Sequence, residues 1–114
     1  MIDVIDRVKA HFSEVSEVRE ILVPEWGESK NSPLKVFITP MNLNEKQILY
    51  RRAKGDDLAV LVDAVIMKAK DKSGEPIFSK EHKRALMRQA DPVVIERLAA
   101  EILGTVDVED FEKN

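Results

Sequence analysis

Cysteine is absent from this chain of 114 residues. That excludes a disulfide framework, a zinc–thiolate site and a thiol nucleophile, and it fits a reducing compartment. A basic surplus is lacking too: the net charge is −3 and the pI near 5.4, which argues against the positive footprint of a nucleic-acid binder. No apolar run approaches the roughly 20 residues that span a bilayer. The start, MIDVIDRVKAHF, is amphipathic and carries acids, so it does not read as a signal peptide and the expected location is the cytoplasm. Glycine is scarce, and its four positions fall at turns or helix ends with no Walker loop or G-x-S-x-G elbow around them. His11 and His82 sit in different segments outside any metal-ligand spacing and read as surface residues.

What is present reads as a small helix-rich domain. Apolar residues make up 44% and charged residues 34% of the chain, and the length suits one domain with one core. Ile2, Ile5, Val8 and Phe12 recur at three- and four-residue steps, predicting a short amphipathic helix over 2–13 with Asp3 as its cap. It either packs on the domain or serves as an arm, over 1–14, that docks on a neighbour. VSEVREILVPE (15–25) and LKVFIT (34–39) are β-like and flank the turn-rich WGESKNSP. They predict an antiparallel hairpin with a long, polar, mobile tip.

Four helices should follow. Asn42 and Glu45 fit a capping box, and that helix runs to Gly55. Asp56 or Asp57 caps the next, in which Leu58, Leu61, Val62, Val65, Ile66 and Ala69 form a stripe, with Val60, Ala64 and Met67 on its flanks. Adjacent acids at a helix start suit its macrodipole and need no catalytic role. Asp71–Gly74 is a turn. Ser79 caps a helix over 80–89, and Phe78 is placed to staple onto the Lys83 stem or Ala85. Asp91 caps the last helix with Pro92 in its first position, Val94, Ile95, Leu98, Ala99, Ile102 and Leu103 form its stripe, and Gly104 ends it. The fold class expected is α+β and helix-dominated: an N-terminal helix, a hairpin and a bundle of about four helices, with 1–104 as one domain and 105–114 as an acidic, flexible tail.

No nucleophile, base and orienting group can be assembled from these spacings, so the expectation is a protein that binds, without catalytic residues, cofactor or metal. Trp26, beside Gly27 and outside any periodic stripe, is a contact candidate, because tryptophan buries much area at little entropic cost. Arg51, Arg52 and Lys54, with Lys80, Lys83, Arg84 and Arg88, offer basic helix faces for an acidic partner, and Met87 among them is a further contact candidate.

Three segments carry a resemblance: VPEWG (23–27), ITPMNLNE (38–45) and VIMKAKDKSGEPIFSKEHKRALMRQADPVVIERLAAEIL (65–103). In their order and spacing, over roughly residues 18–104, they resemble the tail assembly chaperones of long-tailed bacteriophages. The combination of Pro-Glu-Trp-Gly, Asp-x-x-Gly and Leu-Met-x-x-Ala-Asp-Pro is more specific than any one piece. His82 departs from the pattern, which has an acid there. The resemblance implies a non-enzymatic protein of the host cytoplasm, absent from the mature virion. Such a protein coats the tape-measure protein, keeps it soluble, recruits tail-tube subunits and self-associates. It also implies a longer product made by a one-base backward ribosomal slip. Glu112, Lys113 and Asn114 are compatible with this, since GAA-AAA-AAC would encode them. The alternative is a small helical DNA-binding regulator, with the two last helices imitating a helix-turn-helix; that motif needs a polar, often basic recognition helix, and here only Arg97 is basic.

Overall fold

The structure is a computed structural model that describes residues 3–104. The elements run α1 (Val4–Val15), β1 (Arg19–Val23), β2 (Leu34–Ile38), α2 (Leu43–Ala53), α3 (Asp57–Lys68), α4 (Lys83–Gln89) and α5 (Pro92–Leu103), with single 3₁₀ turns at Pro24–Trp26 and Lys80–His82. The helix-dominated α+β class expected from the sequence is the one observed. The acidic tail and the Glu112-Lys113-Asn114 site lie outside the described residues, as does Ile2, the expected start of the first helix.

Local chemistry sets the helix boundaries. Asn42 Oδ1 accepts from the Glu45 backbone N–H at 2.8 Å, while Glu45 Oε1 accepts from that of Asn42 at 3.1 Å. This reciprocal box starts α2. Asp56 accepts from Leu58 and Ala59 to start α3, and Asp91 accepts from Val93 to start α5. Each of these side chains satisfies backbone donors that the first helical turn leaves without partners. Gly104 ends α5 at φ 63°, in the left-handed region that glycine enters without a Cβ penalty.

β1 and β2 pair antiparallel from Arg19 opposite Ile38 to Val23 opposite Leu34. The first strand is shorter than the β-branched run from Val15 suggested. Val15 continues the three- and four-residue steps of Ile5, Val8 and Phe12, and helical continuation wins there. Between the strands, Pro24–Trp26 and a Ser29–Ser32 bridge order the loop. Gly27 is required in it: a Cβ at that position would lie 2.1 Å from the Ser32 carbonyl oxygen and 2.8 Å from Pro33 Cα.

One connection was not legible in the sequence. Lys70 exchanges both backbone hydrogen bonds with Phe37, at 2.8 and 3.0 Å, and bridges Pro76 on its other side. The segment leaving α3 thus adds a one-residue rung beside β2 before the Asp71–Gly74 turn reverses it. In that turn Asp71 Oδ1 accepts from the Ser73 and Glu75 backbone N–H groups.

The core joins Val23, Val36 and Ile38 of the hairpin to Leu49, Val62, Val65, Val94, Leu98 and Ile102 of the helices in one cluster. α3 packs against α2, α4 and α5. All six expected stripe residues of α5 are buried. The α3 stripe holds at Val62, Val65, Ile66 and Ala69, but Leu58 is 65% exposed and Leu61 half-buried, and the buried face widens to Ala59, Val60 and Ala64. Neighbours on three sides draw small residues inward and leave the first-turn leucine outside. Two ion pairs fasten α5 to the hairpin. Arg97 grips Glu25 with two hydrogen bonds of 2.9 and 3.1 Å, and Arg19 meets Glu101 at 2.9 Å. α1 buries none of its residues.

Candidate interaction surface

Trp26 is half-buried on the 3₁₀ turn that follows β1. Its ring meets the edge of Phe78 at a centroid distance of 5.8 Å and an interplanar angle of 84°, a favoured aromatic geometry. Phe78 makes a pairing across the fold that the sequence did not suggest: it lies between Trp26 and the His82 ring, and it lines one recess with Ala85. Trp26, Leu34, Ile77, Phe78, Leu86 and Ala90 line a shallow, mainly apolar recess of about 340 Å³ along one side of α4.

The expected helix over 80–89 is divided. Lys80–His82 forms a tight 3₁₀ turn, and the α-helix begins at Lys83. His82 closes the 3₁₀ turn. Its Nδ1 accepts from the Ser79 backbone N–H at 3.0 Å, so the imidazole does what a glutamate does in a capping box. The residue that departs from the acidic pattern keeps the capping function and drops the negative charge.

The basic candidates separate into roles. Arg84 and Arg88, one turn apart on α4, are exposed and line a groove with Glu81, Ala85 and Gln89. Arg52, at the end of α2, and Lys80 are brought together at a recess that also involves Met67, Ile77, Phe78 and His82. Arg51 is exposed on the last turn of α2 and lines none of these recesses. Lys83 is the exception among the cations. Its Nζ lies 3.1 Å from Oδ2 of Asp63, the buried carboxylate of α3, and so clamps α4 onto α3. Met87 projects to the opposite side from Trp26, into a groove between α3, α4 and α5 shared with Leu58, Leu61, Pro92, Ile95 and Arg88.

Of the exposed apolar residues of that groove Met87 was a candidate and Leu58 was not, and α1 was expected either to pack on the domain or to dock on a neighbour. Their stripes look like core faces in sequence, and only tertiary packing reveals them uncovered. Among the described residues no group of three or more histidine, aspartate or glutamate side chains is arranged to hold a metal, and no helix is long and apolar enough to cross a membrane. Comparison with protein-family models, curated proteins and solved structures finds no match.

Proposed function

We propose that this chain is a non-enzymatic tail assembly chaperone of a long-tailed bacteriophage. In this reading it binds the tape-measure protein in the host cytoplasm, keeps it soluble and helps bring tail-tube subunits to it. The resemblance of the Pro-Glu-Trp-Gly, Asp-x-x-Gly and Leu-Met-x-x-Ala-Asp-Pro segments motivates the reading. The observation that carries it is the band around α4. The apolar Trp26–Phe78–Leu86 recess runs beside the exposed cations Lys80, Arg84 and Arg88, with Arg52 at its far end.

An amphipathic rod presents an apolar stripe flanked by charges. The recess suits the stripe and the cations suit acidic residues beside it. Weak single contacts suffice, because many copies act along one rod. The DNA-binding alternative has no such support. The apolar face of α5 is inside the core and its one cation, Arg97, is held by Glu25.

Co-expression with the tape-measure protein of the same phage tests the proposal. The wild-type chain should keep that protein in the soluble fraction and co-purify with it. The variants Trp26→Ala and Arg84→Glu/Arg88→Glu should lose most of that retention while remaining folded. A tape-measure protein that aggregates equally with and without the wild-type chain would overturn the reading.

A further inference from the structure

Charge is unevenly placed along the chain. Of its 18 cations only Lys113 falls in 105–114, whereas Asp107, Glu109, Asp110 and Glu112 of its 21 acids do. That segment therefore carries the whole net charge of −3, and residues 1–104 are electrically balanced. Val106, Val108 and Phe111 are set among the acids. The segment thus has the chemistry of the α4 band's proposed occupant: apolar side chains flanked by negative charge.

The band itself has the opposite sign. The Trp26–Phe78–Leu86 recess shares Ala85 and Gln89 with the Arg84–Arg88 groove, and Ile77 and Phe78 with the recess of Arg52 and Lys80. Together they present those four cations against a single acid, Glu81. Among the described residues none of the four forms an ion pair. Other recesses are closer to balance. The groove between α3 and α5 has one cation and one acid, and the recess beside β2 sets Lys70 and Lys72 against Asp71.

We infer that residues 105–114 turn back along α5 and dock on the α4 band of their own chain, with Phe111 in the Trp26–Phe78 recess and the neighbouring acids on Arg84 and Arg88. The regulatory consequence, which rests on the function proposed above, is that the segment competes with the partner for that surface. Reach permits the contact. The segment leaves α5 at Gly104. α5 is about 18 Å long, and Ala90, just before its start, lines the recess. Arg97, about two turns before Gly104, already holds Glu25, the neighbour of Trp26. From Gly104 the chain to Phe111 can span about 23 Å. Tethering favours the segment's own body over a second copy, because so short a link keeps it at an effective concentration on the order of millimolar.

The absence of native cysteine gives a clean test. Lys113→Cys provides one site for a nitroxide label in the full chain and removes none of the acids. In NMR spectra the label should broaden the Trp26 indole N–H and the amides of Ala85–Gln89 several times more than those of the Asp71–Gly74 turn. Arg84→Glu/Arg88→Glu should cancel that difference, as should about 1 M salt, where the screening length falls to about 3 Å. Equal broadening of both regions, or stronger broadening of the turn, would overturn the inference. So would broadening that appears only when labelled protein is mixed with an isotope-enriched unlabelled copy, since the segment would then be reaching another molecule. None of these spectra needs a partner, so they stand or fall apart from the tape-measure reading. Where the wild-type chain holds the tape-measure protein in solution, Asp107→Asn/Glu109→Gln/Asp110→Asn/Glu112→Gln should bind it about threefold or more tightly by relieving the tethered competitor. Unchanged or weaker binding would overturn the competition.

Discussion

Asp63 shows what a single residue contributes. It is 7% exposed inside the helical core, and Lys83 reaches in from α4 to meet it. Replacing Lys83 by Met keeps the stem and removes the charge, leaving a buried carboxylate without its partner. The expected loss is about 2 kcal/mol of stability, and pairing Lys83→Met with Asp63→Leu should recover most of it in a double-mutant cycle by denaturant unfolding. Glu45 couples a cap to a charge pair: one oxygen closes the capping box and the other lies 3.0 Å from Lys68 Nζ. Burial raises the Glu45 pKa, but the hydrogen bond from Lys68, then the Asn42 N–H and the positive charges of Lys68 and Lys70, outweigh it, so the carboxyl titrates below its ordinary 4.5. A depressed folded-state pKa contributes stability that is complete above the unfolded value and lost as pH falls through the folded one. Glu45→Gln keeps the box but not the charge. It should cost about 1 kcal/mol at pH 7 and progressively less as pH falls below 4.5 through the lowered folded value, as read from melting curves across the acid range.

At the scale of elements, the hairpin loop depends on backbone approach more than on side chains. Gly27 lets the two legs of the loop touch. Gly27→Ala should destabilise by about 1–3 kcal/mol, and because Trp26 is the only tryptophan, its fluorescence should shift to the red as the loop opens away from Phe78. α2, α3 and α5 were legible in the sequence because caps and stops are local: Asn42 with Glu45, Asp56, Asp91 with Pro92, and Gly104 each act within one turn. α4 was less so. A 3₁₀ turn closed by an imidazole standing in for an acid precedes it, and its position is set by a lysine bonded to a carboxylate twenty residues earlier. The Lys70 rung escaped notice because one residue has no periodicity.

The whole molecule divides into a body and an arm. The body is held by one core cluster that joins the hairpin to α2, α3 and α5, with Arg97–Glu25 and Arg19–Glu101 at its surface, while α1 buries nothing. Removing residues 3–15 should therefore change the stability of the dilute protein by no more than about 0.5 kcal/mol, measured by chemical unfolding. The candidate site is also a whole-molecule property. Trp26 and the cations of α4 were legible singly by residue type, but the recess between them exists only because Phe78 crosses to Trp26.

By itself the sequence determined the fold class, the order of elements, the starts of α2, α3 and α5 and the complete buried face of α5. Those depend on caps, turns and periods that operate within a few residues. Only the tertiary structure decided which apolar stripes are covered. α1 and α5 share one kind of pattern, yet α5 is enclosed by α3 and tied to the hairpin, and α1 meets solvent. A stripe in sequence states that a face is apolar; what lies against it depends on elements far away in the chain.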